Sequence, residues 1–267
     1  MYLHLPSDPV ASLVICSPLA GEGDSNYRRE ILLARTLAAR GVAVLRHHYL
    51  GTGNSDGSPS DLTFASMLDD SLYAAELLAE RSARAPLLLG TRLASYVAAE
   101  AASRSGAPGV VLWHPPSSGA GYFRQVGRMR RVNKLAQQAG RSVEDTRSIE
   151  EELAIDGRTE LAGYEIHAAL YDSICDLRLA QFDLPSGSGA LIVEFGRTEP
   201  SPWLHDQAAA WDRSGASCRL AMIPEREIWW FANDLDVEEN RQLTRQAVDI
   251  TEGWIASVTA SDTEGVA

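Results

Sequence analysis

The order of apolar runs along the chain constrains its fold more than any other feature. Predominantly apolar runs of strand length recur, and each is followed by a stretch with helical periodicity: SLVICS, VAVLRHHY, APLLLG, GVVLWHP, ALIVEFG and CRLAMIP. Strands that are apolar on both faces and alternate with helices form a parallel sheet with helices on both sides. The sequence therefore predicts an α/β fold with a mostly parallel sheet.

The stretches between these runs set the expected boundaries of the elements. An edge strand is expected over Tyr2–Leu5, and helices over Ser25–Arg40, Leu62–Arg81 and Val237–Ala256. The first of these helices ends at Gly41, a residue suited to a left-handed C-terminal cap.

A charged segment over Gly119–Ala180 interrupts the alternation and shows helical periodicity without a convincing strand. With 267 residues, of which 45% are hydrophobic, the chain can fill one sizeable core, so we expect one α/β domain with an inserted segment. The expected parts are a first half over 1–118, a helical insertion over 119–180, a second half over 181–256 and a frayed polar tail over 257–267.

The acidic balance of the chain bears on its partners. A net charge of −12 and a pI near 4.9 argue against a nucleic-acid partner, because phosphate backbones attract basic surfaces. A small-molecule or protein partner is expected instead. No N-terminal stretch has the pattern of a signal peptide, and no apolar run approaches the ~20 residues that span a bilayer, so we expect a soluble, cytoplasmic protein.

Metal and redox chemistry find little support in the sequence. Cys16, Cys175 and Cys218 are widely separated and lack the paired spacing of zinc sites or redox motifs, so reduced thiols are expected. The six histidines show no metal-ligand spacing either. We therefore expect no metal and no other cofactor.

Four motifs occur in a characteristic order: CSPLAGEGDSNYRRE, GVAVLRHHYLGTGNSDG, LLLGTRLAS and LWHPPSSG. Their order resembles that of the α/β-hydrolase superfamily over nearly the whole chain. The usual full pair of leading strands is lacking. The resemblance implies an oxyanion loop, the next strand with its loop, a nucleophile elbow and the entry to a helical lid over Gly119–Ala180. Together, GTRLAS and LWHPPSSGAGYFRQVGRMR are similar to the atypical hydrolase-like proteins of bacterial exosortase and exopolysaccharide clusters.

The catalytic triad departs from that family pattern. At the elbow the sequence reads GTRLA, with Arg92 at the apex, and a guanidinium only donates hydrogen bonds, so it cannot attack a carbonyl. A G-x-S-x-G match around Ser55 lies instead in a loop rich in turn residues. Glu199 is a candidate acid, but EREIWWFAND, where the histidine should lie, contains none. Ordinary serine-hydrolase catalysis is therefore not expected.

Arg92 is expected to have an anionic partner, because an arginine at the first turn of a helix adds positive charge where the macrodipole is already positive. One interpretation is an internal ion pair with Glu22 or Glu199. The other is that the guanidinium and the backbone N–H of Leu93 bind a carboxylate or phosphate of a ligand, which can displace the internal carboxylate.

Further polar residues are expected near Arg92, since ligands of open α/β sheets bind beyond the carboxyl ends of the strands. His48 and His114 each end a predicted strand, and Ser17 and Glu22 lie in the expected oxyanion loop. An acid–base pair drawn from His48, His114 and Glu22 would support proton transfer, whereas a hydrogen-bonded structural role is the simpler interpretation of either histidine.

The remaining candidates concern the walls of the pocket. Leu19 and Ala20 lie in the expected oxyanion loop and are ligand-binding candidates. Trp229, beside Trp230, occupies the loop where the family places its catalytic histidine, and a tryptophan-lined pocket would suit an acyl or aromatic ligand.

Arg124, Arg128 and Arg131 follow i, i+4, i+7 spacing in GYFRQVGRMRRVNK, with apolar residues on the opposite side. This basic stripe would dock an acidic partner such as an acyl carrier protein, or steer an anionic substrate. A solvated helix face that pairs with the acidic SIEEELAID is the simpler alternative.

Three functions therefore stay open. The first is a degenerate hydrolase-fold protein that binds an anionic or acyl ligand around Arg92. The second is an enzyme with a relocated constellation, in which Ser17 or an activated water acts with His48 or His114. The third is a scaffold that binds a partner through the basic stripe.

Overall fold

A seven-stranded sheet lies at the centre of the molecule. The computed structural model describes residues 1–137, 147–224 and 238–264. In chain order the described strands are β1 (Tyr2–His4), β2 (Ala11–Cys16), β3 (Val42–His47), β4 (Leu87–Thr91), β5 (Gly109–Trp113), β6 (Arg158–Leu161), β7 (Tyr164–His167), β8 (Gly189–Phe195) and β9 (Ser217–Ile223). Strands β6 and β7 form a separate two-stranded sheet. The helices are α1 (Ala20–Ala39), α2 (Phe64–Ser82), α3 (Ala94–Ser105), α4 (Gly119–Gln137), α5 (Ile149–Asp156), α6 (Ala168–Ile174), α7 (Pro202–Ser214) and α8 (Glu238–Glu264).

The strands of the central sheet follow the order β1-β3-β2-β4-β5-β8-β9. All neighbours are parallel except β1, which pairs antiparallel with β3 at one edge. The predicted mostly parallel sheet and its edge strand are therefore confirmed. The register pairs Cys16 with Gly90 and Thr91 with Trp113, so the carboxyl ends of β2, β4 and β5 lie side by side.

Helices cover both faces of this sheet, which explains the continuous apolar runs. Val14 and Leu88 pack on one face in a core with residues of α2, α3 and α7. Their neighbours Leu13 and Leu89 face the other way, into a second core with residues of α1 and α8. Because successive strand residues point to opposite faces, each strand supplies both cores.

Helix α1 begins earlier than the sequence predicts, at Ala20 rather than Ser25. Glycine and aspartate in AGEGDS are poor helix formers, which favours a loop on sequence grounds. Tertiary contacts override this preference, since a Cβ on Gly21 would lie 2.5 Å from the Cβ of Ala162 in the turn between β6 and β7. As a consequence, Glu22 lies in the first turn of a helix rather than in a loop.

The segment over Gly119–Ala180 contains a hairpin, so the expectation that it lacks a strand is wrong. Strands β6 and β7 pair antiparallel, and their buried residues Thr159, Leu161 and Ile166 follow the alternation of a strand. The two turn residues, Ala162 and Gly163, both have positive φ, as hairpin turns of this length require. Strands of four residues that include charged side chains give too weak a pattern for prediction.

The chain end also differs from expectation. Helix α8 continues to Glu264, beyond the Ala256 at which the sequence places its end. Gly41 adopts the predicted left-handed conformation after α1, with φ +85°. In the described ranges no helix is both long and apolar enough to cross a membrane.

Candidate ligand site around Arg92

Arg92 lies at the apex of a sharp connection between β4 and α3. Its φ of +56° is in the left-handed region, and its backbone N–H donates to the carbonyl of Trp113 at 2.8 Å. Gly90 permits the turn, since a Cβ there would lie 2.3 Å from the carbonyl oxygen of Ala94. The hydroxyl of Ser95 donates back to the carbonyl of Gly90 at 3.1 Å, which closes the turn. The predicted strand-turn-helix geometry is present at this position.

The side chain of Arg92 is buried in a network of polar contacts. Its Nε lies 3.1 Å from Oε1 of Glu22, and the two side chains are only 1% and 2% exposed. Nη2 donates to Oε1 of Gln125 at 2.7 Å, and the guanidinium lies 5.4 Å from the ring centroid of Tyr122. Of the two acidic partners that the sequence offers, the structure places Glu22 here.

Glu22 accepts from two sides, because the hydroxyl of Tyr122 donates to its Oε2 at 3.2 Å. Burial raises the pKa of Glu22, while the charge and hydrogen bond of Arg92 and the bond from Tyr122 favour its ionised form. Burial also raises the pKa of Tyr122 well above its usual range, so the phenol keeps its proton. Glu22 therefore accepts hydrogen bonds from both Arg92 and Tyr122 within one buried network.

An open pocket of about 400 Å³ lies in front of this network. Most of its lining is polar and comes from the connections after β4, β5 and β8, from the end of β8 and from helices α4 and α7. The lining includes Arg92, His114, Ser117, Tyr122, Arg124, Gln125, Arg128, Glu194, Phe195, Arg197, Ser201 and Trp203. Leu93, the other residue of the turn proposed to bind a ligand, is buried beside Arg92.

His114 is held in a fixed orientation at this pocket. It has a φ of +50°, its backbone N–H donates to the carbonyl of Val193 at 2.7 Å, and its Nδ1 accepts from the N–H of Phe195 at 3.0 Å. Since Nδ1 accepts, the neutral ring carries its proton on Nε2. Burial, with the charges of Arg92 and Arg197, lowers the pKa of His114 well below its usual range. This geometry suits a neutral donor better than a general base.

Glu194 is a site residue that the sequence analysis missed. It is buried at the end of β8 and accepts from the backbone N–H of Ser201 at 2.8 Å and from the Ser201 hydroxyl. Nε of Arg197 lies 3.6 Å from Oε1 of Glu194. Glu199, the predicted acid, is exposed on the same loop. The sequence signal for this residue is a single glutamate inside the apolar run ALIVEFG, whereas the family resemblance places the acid after the strand.

His48 is not brought to this pocket. Its ring packs edge-on against Tyr2 of β1, with centroids 6.0 Å apart, beside the loop that contains Gly53. Burial lowers its pKa, and the nearby positive charges act in the same direction. Among the described residues, the pocket lining includes His114 without His48, so of the three acid–base candidates His48, His114 and Glu22, His48 lies away from this pocket. Ser55 lies in the loop as expected and donates to the carbonyl of His48 at 3.1 Å.

Ser17 belongs to a separate buried cluster. Its hydroxyl donates to Oε2 of Glu30 at 3.0 Å, and the same oxygen lies 3.3 Å from Nη2 of Arg46. Burial raises the pKa of Glu30 to about 7, although Arg46 and Ser17 oppose the shift. Of the other residues of the expected oxyanion loop, Leu19 is buried at the N-cap of α1, and Ala20 starts the helix with a φ of +49°.

The basic stripe is present on α4, where Arg124, Arg128 and Arg131 are all exposed. Arg124 and Arg128 line the pocket, and all three arginines line a smaller neighbouring cavity of about 130 Å³ that also includes Glu150. The acidic stretch SIEEELAID pairs with two arginines outside the stripe, since Nη1 of Arg130 donates to Oε2 of Glu152 at 2.8 Å and Nη1 of Arg147 donates to Oδ2 of Asp156 at 2.8 Å. The stripe therefore borders both the pocket and, across the smaller cavity, the first residues of α5.

Two further expectations concern the tryptophan pair and metal binding. Trp229 and its neighbour Trp230 lie outside the described residues, and the aromatic wall that is described belongs to Phe195 and Trp203. In the described parts of the chain no three His, Cys, Asp or Glu side chains form a group that could hold a metal ion.

Comparisons with known proteins identify the fold. Est1E from Butyrivibrio proteoclasticus, solved with bound ferulic acid, is similar over 93% of this chain and 93% of its own, with a TM-score of 0.60 and 19% identity. A proline iminopeptidase from Mycobacterium smegmatis matches over 98% and 95%, with a TM-score of 0.57 and 14% identity. The esterase Est2 from Thermogutta terrifontis, solved with butyrate, matches over 93% and 87%, with a TM-score of 0.53 and 13% identity.

These structures share the α/β-hydrolase fold, and the chain has this fold. At these identities the likeness concerns the fold alone. No protein-family model and no curated protein sequence matches the chain. Because one fold supports many functions, the function has to be inferred from the site.

Proposed function

We propose that this protein has lost the serine–histidine machinery of its fold and binds an anionic ligand in the pocket around Arg92. The observation that carries this proposal is the buried network of Arg92, Glu22 and Tyr122 at the apex of the connection between β4 and α3. Serine hydrolases of this fold hold their nucleophile at such an apex. Arg92 takes that position here, and the stretch EREIWWFAND offers no histidine.

The charges at the pocket support an anion as the ligand. Arg124 and Arg128 of α4 and Arg197 after β8 line the same space as Arg92. In a chain with a net charge of −12, such a cluster is a local exception. A positive pocket in an acidic protein raises the local concentration of anions and guides them to the site.

The resemblance of GTRLAS and LWHPPSSGAGYFRQVGRMR to proteins of exosortase and exopolysaccharide clusters supports a more specific setting. We place the protein in the cytoplasm, in a biosynthetic role within such a cluster, and we assign the segment over Gly119–Ala180 as the lid of the pocket. Helix α4 of that segment contributes Arg124 and Gln125 to the lining, in agreement with this assignment.

Thermal unfolding in the presence of small anions tests the binding proposal. A panel of carboxylates and phosphates, with neutral esters as controls, should contain anions that raise Tm by several degrees when they are well above Kd. In the variant Arg92→Met/Glu22→Gln, which removes both charges of the buried pair together, the same anion should bind at least tenfold more weakly. Unchanged binding in this variant would leave Arg92 with a purely structural role and contradict the proposal.

An active enzyme with a relocated nucleophile is the second candidate. The contact between Ser17 and Glu30 favours it, because a carboxylate that accepts a hydrogen bond from a serine hydroxyl can serve as its general base. His114 with an activated water is the other version. If either operates, Ser17→Ala or His114→Gln, respectively, abolishes turnover of an activated ester. Full turnover in both variants excludes the two versions.

A third candidate is a scaffold that docks an acidic protein on Arg124, Arg128 and Arg131. The exposure of all three guanidinium groups favours it. Binding of an acyl carrier protein should fall with rising ionic strength and should be abolished when the three arginines are reversed to glutamate. Reversal of Arg213, an exposed arginine on α7, should leave binding unchanged.

A further inference from the structure

The net charge of the pocket indicates a narrower class of ligand than anions in general. Arg92 adds little net charge, because its guanidinium is paired with the buried carboxylate of Glu22, and its part in the proposed site is that of a hydrogen-bond donor to the ligand. The positive charge therefore comes from Arg124, Arg128 and Arg197, and among the residues that line the pocket it is opposed by the carboxylate of Glu194. This balance leaves an excess of two positive charges.

The arginines also converge from separate elements. Arg124 and Arg128 are one turn apart on α4, which places them on the same face of the helix. Arg197 approaches from the loop after β8 and is half-exposed, while its ion pair with Glu194 spans 3.6 Å. Guanidinium groups on different sides of a pocket can each offer a fork of donors to a different oxygen of one compact anion.

The rest of the lining disfavours a long apolar ligand. The hydroxyls of Ser117 and Ser201, the amide of Gln125 and the imidazole of His114 are all polar groups at the pocket. A volume of about 400 Å³ fits a small molecule. The long acyl chain that Trp229 suggests on sequence grounds is therefore a poor match to the described lining, in which Phe195 and Trp203 form a short aromatic wall.

We propose that the pocket recognises a small hydrophilic ligand through a phosphate-monoester group, which Arg124, Arg128 and Arg197 bind as a dianion. A phosphate monoester has the two negative charges that the pocket lacks and three acceptor oxygens in a compact head. A carboxylate or sulfate ester supplies one charge, and a dicarboxylate spreads its two charges over separate groups. This inference rests on the proposed function and narrows its class of ligand.

Titration with minimal headgroups tests the proposal at pH 8, where a phosphate monoester is a dianion. Methyl phosphate, methyl sulfate and succinate are each titrated into the labelled protein, and Kd is measured by NMR. Methyl phosphate should bind at least tenfold more tightly than the other two. Arg124→Gln/Arg128→Gln should abolish this preference, whereas Arg213→Gln, which removes an exposed arginine of α7, should retain it.

The outcomes separate the two proposals. If methyl sulfate or succinate binds as tightly as methyl phosphate, the phosphate assignment is overturned and the anion site remains. If the preference persists in Arg124→Gln/Arg128→Gln, the site of phosphate binding lies elsewhere and the assignment is likewise overturned. If none of the three anions and none of the carboxylate panel binds, both the assignment and the proposed function fail.

Discussion

The guanidinium of Arg92 and the carboxylate of Glu22 form an ion pair 3.1 Å apart, with both side chains almost completely excluded from solvent. Removing one member of a buried pair leaves an uncompensated charge, which costs about 3–5 kcal/mol. Arg92→Met should therefore destabilise the protein strongly, while Glu22→Gln, which keeps an acceptor oxygen, should cost less. Urea unfolding of both variants measures these costs.

The double variant Arg92→Met/Glu22→Gln completes the cycle. It should recover at least about 1 kcal/mol of the summed losses, because the two side chains are in direct contact. Losses that add within about 0.5 kcal/mol would show that the pair is not energetically coupled.

The sharp turn at Arg92 depends on the absence of a side chain at Gly90. A Cβ there would lie 2.3 Å from the carbonyl oxygen and 2.6 Å from the carbonyl carbon of Ala94, and backbone atoms cannot move aside as a flexible side chain can. Gly90→Ala should therefore lower the free energy of unfolding by about 3 kcal/mol. Gly253→Ala is the control, since its Cβ meets nothing within 4 Å on α8 and should be neutral or stabilise by up to about 1 kcal/mol. Similar losses in both variants would show that the close contact at Gly90 is unimportant.

His47 is buried in its neutral form beside Ser71. The Ser71 hydroxyl donates to the carbonyl of Met67 at 2.8 Å, so it accepts from Nε2 of His47, which is 3.3 Å away. A second proton would have to go to the buried Nδ1, which has no hydrogen-bond partner among the described residues. Burial lowers the pKa of His47 from 6.5 to about 4, with smaller contributions from His48 and the N-terminus.

The sign of the resulting pH dependence follows from that shift. As the pH falls below 6.5, the unfolded chain takes up a proton at His47 and the folded protein does not, so stability declines until about pH 4. The loss from this residue is roughly 3 kcal/mol. His47→Asn should remove this part of the decline in denaturant titrations between pH 7 and 4, whereas His205→Asn, at an exposed position of α7, should keep it. An unchanged decline in His47→Asn would contradict the assignment.

The strands and the turn at Arg92 could be predicted because continuous apolar runs and a strand-turn-helix pattern depend on local sequence. Contacts between segments that are distant in the sequence could not be predicted in this way. On sequence grounds Glu22 and Glu199 are equivalent candidate partners of Arg92, and only the position of α1 in the fold places Glu22 next to it. The early start of α1 depends on the packing of Gly21 against Ala162, more than a hundred residues away.

The placement of the polar candidates shows the same limit. His48 and His114 both follow strands, but β3 lies two positions from β4 in the sheet, and His48 turns toward Tyr2 of the edge strand. His114 follows β5, which is the direct neighbour of β4, and it reaches the pocket. Strand order and side-chain direction therefore decide which residues share a site, and neither can be read from the spacing of motifs.

The central claim is that this protein has lost the serine chemistry of its fold. The most direct test is reaction of the purified protein with a fluorophosphonate, followed by measurement of intact mass and of turnover of an activated acyl ester. An active serine esterase treated in parallel confirms the reagent. We predict no stoichiometric adduct and no turnover above the buffer rate. A single adduct mapped to one serine, together with ester turnover that this adduct abolishes, would contradict the account and establish a relocated nucleophile.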